Sequence, residues 1–162
     1  MRDPDVLSIG ASAMRPNPGL RPLSFLLGDW LTSGSHPAFP KQVLPGATSF
    51  TWDQGGAFLL MRSQTDHPAF PDGIAVFGSD SVLGAITMCW FDERGVSRLC
   101  SVSVTAREVA WHHNDPAFMQ RVRMTASEDG LTIVSKGEMA RGGKGWGPDL
   151  SQTFRRRKQR SV

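Results

Sequence analysis

The stretch Leu83–Val104 restricts the possible folds more than any other part of this chain. It contains two runs, Ala85–Phe91 and Val96–Val104, in which alternate side chains would share one face, and a short polar connection, Asp92–Gly95, joins them. A period of two is typical of a β-strand, and a glycine-containing loop of this length between two such runs is typical of a β-hairpin. We therefore predict an antiparallel hairpin in this stretch.

Similar runs precede and follow the hairpin, and the breaks between them are short and rich in proline, glycine or polar residues. The candidate strands are Asp29–His36, Gly46–Asp53, Ala57–Asp66, Gly73–Ser79, Leu83–Phe91, Val96–Val104, Arg107–His112, Ala117–Ser127, Leu131–Glu138 and Trp146–Arg157. Evenly spaced strands with tight connections are typical of a meander that closes into a barrel, and closure removes exposed sheet edges. We predict an all-β fold, a closed antiparallel up-and-down β-barrel of about ten strands, wide enough to hold a small ligand.

A single short helix is predicted before the first strand, at Leu20–Gly28. Pro22 suits a first helical turn, Gly28 suits a C-terminal cap, and the leucines between them lie at helical spacing. Because a helix this short is not stable alone, we expect it to plug one end of the barrel. Trp30 follows the helix, and we expect its ring to pack against it at that closed end.

Length and composition are consistent with one globular domain. The chain has 162 residues, of which 40% are hydrophobic and 20% are charged, enough to bury one sizeable core. We interpret residues 1–19, which are rich in proline and small residues, as a disordered lead-in. Residues 20–157 would form the barrel domain, and residues 158–162 a basic tail.

The sequence also restricts compartment and partners. It shows no apolar run as long as a membrane helix, no signal-peptide pattern and only two cysteines, so we expect a cytoplasmic protein without a membrane partner. The net charge is +3, but residues 155–160 carry five positive charges, which leaves the rest mildly acidic. We therefore expect no nucleic-acid groove, and we interpret that basic stretch as a solvated strand end that frays. Both a monomer and a homodimer remain open.

Several short segments together carry a family resemblance. They are Leu27-Gly28-Asp29-Trp30, Phe70-Pro71-Asp72-Gly73, Phe91–Arg98, Phe118–Arg121 and Asp129–Ile133. With them the chain resembles the DUF1579-like branch of the calycin proteins, over roughly Leu23 to Arg156. The calycins also include the lipocalins and the fatty-acid-binding proteins. The resemblance implies a lipocalin-like barrel of ten or so strands, in a family that largely lacks an assigned function.

The nitrobindins are a related calycin group that binds haem through a histidine near the C-terminal strands. The last two predicted strands of this chain, Leu131–Glu138 and Trp146–Arg157, contain no histidine. This difference argues against haem binding by the nitrobindin route.

A five-residue repeat, His-Pro-Ala-Phe-Pro, occurs at His36–Pro40 and again at His67–Pro71, with a partial echo at Pro116–Phe118. Connections alternate between the two ends of an up-and-down barrel, so those after the first, third and seventh strands share one end. We therefore predict that the histidines gather at one rim, opposite the helix. Two interpretations remain open: proline-stiffened turns with solvated histidines, or a rigid aromatic portal over the mouth of the barrel.

A metal site is a more specific hypothesis for histidines that gather at one rim. Four histidines at one rim could supply zinc ligands, but their spacing forms no dense metal-binding motif. His112 and His113 are adjacent, so their side chains point to opposite faces of a strand and only one can face the lumen. We predict no metal site and leave the cofactor unknown.

An arginine that faces the lumen could bind a carboxylate or another anion through two parallel hydrogen bonds. Arg62, Arg98, Arg121 and Arg123 all lie on predicted strands, and the pattern leaves open which of them face inward. The candidate ligand-binding residues are His36, Phe39, Arg62, His67, Phe70, Met88, Trp90, Arg98, His113, Phe118, Gln120 and Arg121.

Catalytic motifs are absent from the sequence. There is no phosphate-binding loop, no nucleophile elbow and no cysteine in a charged loop. Cys89 and Cys100 are expected to be buried structural thiols, and Asp92 with Arg94 or Arg98 is expected to fix the hairpin. We therefore assign no catalytic residue.

Three functional hypotheses remain. The leading one is a lipocalin-like barrel that binds a small, mostly apolar ligand, neutral or anionic. The second is an enzyme, or a haem or metal protein, of the same fold that uses the rim histidines. The third is a structural or protein-interaction barrel with a filled interior.

Overall fold

An antiparallel sheet that closes on itself forms most of this computed structural model, which describes residues 17–80 and 82–158. Its strands are β1 (Gly28–Ser35), β2 (Leu44–Asp53), β3 (Phe58–Thr65), β4 (Gly73–Ser79), β5 (Ile86–Asp92), β6 (Ser97–Val104), β7 (Glu108–Asp115), β8 (Phe118–Ala126), β9 (Thr132–Arg141), β10 (Gly147–Pro148) and β11 (Ser151–Arg156). Each strand pairs with the next from β1 to β9, and β11 pairs with both β9 and β1. The predicted ten-stranded up-and-down barrel is therefore confirmed, with β10 as one short extra strand beside β9.

The central hairpin forms as the sequence pattern predicts. Residues of β5 and β6 pair in register from Ile86 with Val102 to Phe91 with Ser97. The connection closes because Gly95 adopts a φ of +78°, which favours glycine, and its amide N–H donates to the carbonyl of Asp92 at 2.8 Å. The turn residues and the alternation of the two strands therefore both specify the same hairpin.

The last predicted strand, Trp146–Arg157, is broken in the structure. The chain pairs with β9 as β10, leaves the ladder at Asp149 and Leu150, and pairs again as β11. The break comes very close to the opposite strand, because a Cβ atom at Gly137 would collide with the carbonyl oxygen of Leu150. Only glycine fits at that position, and the break directs the side chain of Asp149 towards the mouth of the barrel.

The predicted helix is a 3-10 helix, and it begins earlier than expected, at Pro18–Leu26. Its three fully buried residues, Leu20, Leu23 and Leu26, are spaced by three, which is the period of a 3-10 helix. Asn17 caps it by accepting a hydrogen bond from the amide of Gly19 at 2.9 Å. Gly28, predicted as the cap, instead begins β1.

Within the described residues, no helix has the length and apolar character needed to cross a membrane.

The helix closes the end of the barrel at which the β2–β3 and β4–β5 connections lie. Asn17 fixes it there, because its amide N–H donates to the carbonyl of Gly56 at 2.7 Å and its side chain donates to Ser79 at 2.9 Å. The core lies directly beneath and includes Trp30, Phe50 and Phe77, which are each at most 1% exposed. The lead-in predicted for residues 1–19 falls mostly on residues 1–16, outside the described residues, whereas 17–19 belong to the helix and its cap.

Arg156 connects the last strand to the first at this closed end. Its Cζ lies 4.2 Å from the ring centre of Trp30, and its guanidinium donates to the carbonyls of Leu27 at 2.6 Å and Gly130 at 3.0 Å. Gly28 makes room for it, since a Cβ atom there would lie 2.6 Å from Arg156 Nη1. The interpretation of residues 155–160 as a fraying end is therefore wrong for Arg156, which faces the core.

Trp30 packs under the helix as expected: it is 1% exposed, and its indole N–H donates to the carbonyl of Leu26 at 2.8 Å. Trp30→Ala should therefore lower the free energy of unfolding by about 3–5 kcal/mol in a urea titration. Trp146 is a matched control, because it is 38% exposed on the outer wall, and Trp146→Ala should cost less than about 1 kcal/mol. Equal losses for the two variants would contradict this packing.

Candidate functional site

The lumen divides into an apolar half at the closed end and a polar half at the open end. Buried apolar side chains such as Leu59, Phe77 and Ile133 fill the closed half. Towards the other end the inward positions change to Thr32, Thr48 and other polar residues. The open half of the lumen is therefore the candidate site.

Both copies of the five-residue repeat form the same turn at the open end. The carbonyl of His36 accepts the amide N–H of Phe39 at 2.9 Å, and that of His67 accepts the amide of Phe70 at 3.0 Å. Proline follows each histidine, where its fixed φ suits a β-turn. The histidine Nδ1 atoms accept the amide N–H groups of Ala38 at 3.1 Å and Ala69 at 3.2 Å. The repeat is thus a turn that the histidine ring itself caps.

The two turns pack against each other, so the predicted pairing of His36 and His67 at one rim is confirmed. Each histidine contacts the phenylalanine of the other turn, with ring centres 5.3 Å apart for His36 and Phe70 and 4.5 Å for His67 and Phe39. The two phenylalanine rings are 5.8 Å apart. We call these four residues the aromatic cluster. Its histidines are packed and only partly exposed, unlike the solvated histidines of the simpler interpretation.

Asp149 links the aromatic cluster to the opposite wall. One carboxylate oxygen lies 3.2 Å from Nε2 of His36, and the other accepts the side-chain amide of Gln120 at 2.7 Å. Since Nδ1 of His36 already accepts a hydrogen bond, Nε2 carries the proton and donates to Asp149. This bridge and the aromatic cluster cover the side of the mouth next to β1, where the inward residues Thr32 and Leu44 are buried.

The opposite side of the lumen is open. A row of paired inward residues, Val102, Trp111 and Val122, crosses β6, β7 and β8, and all three remain partly exposed. Trp90 on β5 is also partly exposed, whereas Met88 below it is buried. Partial exposure of several neighbouring inward-facing apolar residues indicates that solvent enters the lumen on this side. The lumen therefore opens beside β5–β8.

A polar row lies between this apolar row and the rim. On β7 and β8 the next inward residues are His113 and Gln120, whereas on β6 the buried Cys100 comes next and Arg98 lies one inward position nearer the rim. We call His113, Gln120 and Arg98, which are all partly exposed, the polar row. His113 Nδ1 lies 2.9 Å from the carbonyl oxygen of Leu99. Because a carbonyl can only accept, Nδ1 carries the proton and the neutral ring keeps Nε2 as a free acceptor. His112 is exposed on the other face, as the alternation requires.

The four candidate arginines separate by face. Arg62, Arg121 and Arg123 point outward, and the expectation of luminal anion binding is wrong for them. Arg62 lines an outer-wall cavity of about 530 Å³, and Arg121 pairs with Glu138 at 2.8 Å. Among the candidates only Arg98 faces the lumen.

Among the described residues, two buried side-chain polar atoms have no hydrogen-bond partner, Thr32 Oγ1 and Gln152 Nε2. Both side chains face inward, on β1 and on β11. These strands lie across the barrel from β5 and β6, and both atoms are shielded from solvent. Burying an unpartnered donor or acceptor costs about 1–3 kcal/mol, so a water molecule or a polar group of a ligand that reached these atoms would be stabilised there.

Asp92 fixes the rim end of the hairpin, as expected, and its partner is Arg94. The carboxylate is fully buried and accepts hydrogen bonds from the Arg94 guanidinium at 2.8 and 3.1 Å and from the Trp90 indole at 3.0 Å. The hydrogen bonds from Arg94 hold the pKa of Asp92 well below its ordinary value. The interaction also fixes the ring of Trp90 at the edge of the open space.

Neither cysteine forms part of the site. Cys89 faces outward and Cys100 faces inward on neighbouring strands, so they cannot form a disulfide, and both thiols are free. Burial raises the pKa of Cys100 to about 11, which makes it unreactive. Within residues 17–80 and 82–158, no group of three or more histidine, cysteine or acidic side chains could hold a metal ion.

Sequence reasoning missed several residues of the site. Trp111, Asp149 and Gln152 belong to it, and Arg141 lies at its edge with the Cζ atom 4.8 Å from the ring centre of Phe118. Strand alternation could have indicated Trp111 and Gln152, whereas Asp149 depends on the break between β10 and β11.

A second cavity, of about 710 Å³, lies on the outer wall and not in the lumen. It lies over β1, β9 and β11 and is lined by Trp146.

Comparison with known proteins supports the fold. No protein-family model matches the chain, and no curated protein matches it. Among solved structures, the chain is similar to one described as the crystal structure of Rv2717c from M. tuberculosis. The TM-score is 0.61 at 17% sequence identity, over 89% of this chain and 100% of that one. At this identity the likeness shows a shared barrel fold.

The Asp92 interaction predicts acid-sensitive stability. Because its pKa is lowered in the folded state, the carboxylate contributes stability that is fully present above its ordinary pKa of 3.8 and is lost as the pH falls further. Asp92→Asn should therefore lower the free energy of unfolding at pH 7 by about 1–3 kcal/mol and flatten its pH dependence below about pH 5. Asp66→Asn, at an exposed position, is the control. Parallel stability curves for the wild type and Asp92→Asn would contradict the assignment.

The aromatic cluster predicts a loss of stability on truncation. Phe70→Ala removes ring contacts to both histidines and to Phe39, so we expect a loss of about 1–3 kcal/mol in chemical denaturation. Phe91 is a matched control, because it is 44% exposed on the outer wall, and Phe91→Ala should cost less. Unchanged stability in Phe70→Ala would instead favour a free portal loop.

Proposed function

We propose that this protein binds a small, mostly apolar molecule in the open half of its lumen. The observation that carries the proposal is the partly exposed inward row of Val102, Trp111 and Val122. An apolar-lined space that opens at one end is what barrels of this size use to hold a ligand. We also propose that the chain belongs to the DUF1579-like branch of the calycins, and the shared barrel fold is consistent with this.

The two tryptophans favour a ligand with a flat apolar body. Trp90 is held by its hydrogen bond to Asp92 at 3.0 Å. Trp111 packs edge-to-face on Phe77, with ring centres 5.9 Å apart. Fixed aromatic rings bind a planar molecule with little loss of side-chain entropy.

The ligand also carries a polar group in this proposal. Thr32 Oγ1 and Gln152 Nε2 are buried without partners across the lumen from Trp111. A hydroxyl can donate or accept, and an amide nitrogen can only donate, so each of them can serve an acceptor atom. We further propose a cytoplasmic location, which suits a chain whose two cysteines lie on opposite faces and cannot pair.

The proposed function predicts that filling the lumen blocks binding. Val122→Trp places a large ring in the open space, so it should weaken binding of the neutral fluorescent probe phenylnaphthylamine about tenfold or more. Stability should change by less than about 1 kcal/mol, because Val122 is only partly buried and the added ring extends away from the core into the lumen. Fluorescence titration and urea unfolding measure the two effects.

A matched control is Val134→Trp, since Val134 is 45% exposed on the outer wall and its replacement should leave probe binding unchanged. A barrel with a filled interior gives the opposite result. In that case Val122→Trp would overpack the core and cost about 1–3 kcal/mol, and the wild type would not bind the probe.

A further inference from the structure

Two arginines share one aromatic ring at the open end. The Cζ atoms of Arg98 and Arg141 lie 4.5 and 4.8 Å from the ring centre of Phe118, so they are separated by at most the sum of these distances. Phe118 begins β8 and pairs in register with Arg141, the last residue of β9, while Arg98 reaches the ring from β6. A single ring therefore contacts two positively charged groups.

Neither guanidinium forms an ion pair within the described residues. The ion pairs found there engage His36 and other arginines, and no side-chain hydrogen bond there involves Arg98 or Arg141. Asp115 accepts the amide of Ala117 at 2.8 Å, the two oxygens of Asp149 contact His36 and Gln120, and neither carboxylate pairs with the two arginines. Two like charges at this separation repel each other, and an anion bound beside both would relieve the repulsion.

The position of the two arginines also sets an orientation. Arg98 lies one inward position nearer the rim than His113 and Gln120, beyond the apolar row. An anionic group held by the arginines would therefore lie at the mouth, with the apolar body directed inward towards Trp111. Guanidinium groups suit such an anion, because they donate two parallel hydrogen bonds to an oxyanion.

We propose that Arg98 and Arg141 form an oxyanion-binding site at the mouth, and that the ligand is a small amphipathic anion, with an acid group on an apolar body. This inference rests on the proposed function, because it assigns the polar end of the same luminal ligand. Phe118 acts as a positioning residue that holds both guanidinium groups.

A matched pair of fluorescent probes tests the inference. Anilinonaphthalene sulfonate carries an oxyanion, and phenylnaphthylamine is the same aromatic body without it. Arg98→Gln and Arg141→Gln should each weaken binding of the sulfonate about tenfold, as expected for the loss of a charged hydrogen bond. Binding of phenylnaphthylamine should change by less than about twofold, because it makes no such bond. Arg123→Gln removes the same charge from the outer wall and should leave both affinities unchanged.

The outcomes separate the inference from the function it rests on. Phenylnaphthylamine binding with no arginine dependence of sulfonate binding would overturn the oxyanion site and leave the luminal function standing. Arginine-dependent sulfonate binding without phenylnaphthylamine binding would confirm an anion site but contradict a luminal ligand. If neither probe binds, both proposals are wrong. Melting temperatures of the variants close to that of the wild type establish that they are folded.

Discussion

The contact between Arg156 and Trp30 is the interaction on which the barrel depends. It joins the last strand to the first, and its hydrogen bonds to the carbonyls of Leu27 and Gly130 add the end of the helix and the β8–β9 connection. One partly buried side chain thus connects the N-terminal helix and β1, the β8–β9 connection and the last strand. Because the closed end is fixed in this way, the inward-facing residues can change from apolar to polar towards the open end while the barrel stays closed.

At the open end, only one side of the mouth is covered by packed side chains. Its covered side is held by the aromatic cluster and by the carboxylate of Asp149, which bridges two walls through His36 and Gln120. The other side has no such cover, and there Trp111 and its neighbours remain partly exposed. The asymmetry gives the lumen an apolar interior with a polar and positively charged entrance, which is the arrangement that suits an amphipathic ligand.

Much of this could be predicted from the sequence, because the signals are local. Alternation and turn residues located the strands, and counting connections placed His36 and His67 at one rim. The orientation of the arginines could not be predicted, since both faces of β3 and β8 mix apolar and polar residues. The role of Arg156 was missed because its partners are carbonyl groups far away in the chain. Asp149 was missed because the break after β10 arises from a close approach to Gly137, a contact that no local pattern encodes.

The open lumen, and not the outer wall, holds the ligand in the function proposed for this barrel. A crystal structure of the protein soaked with phenylnaphthylamine tests this most directly, because the outer wall offers rival cavities of about 530 and 710 Å³. We expect electron density for the probe in the lumen, in contact with both Trp90 and Trp111. Density confined to the outer cavities, or a lumen filled by side chains, would contradict it.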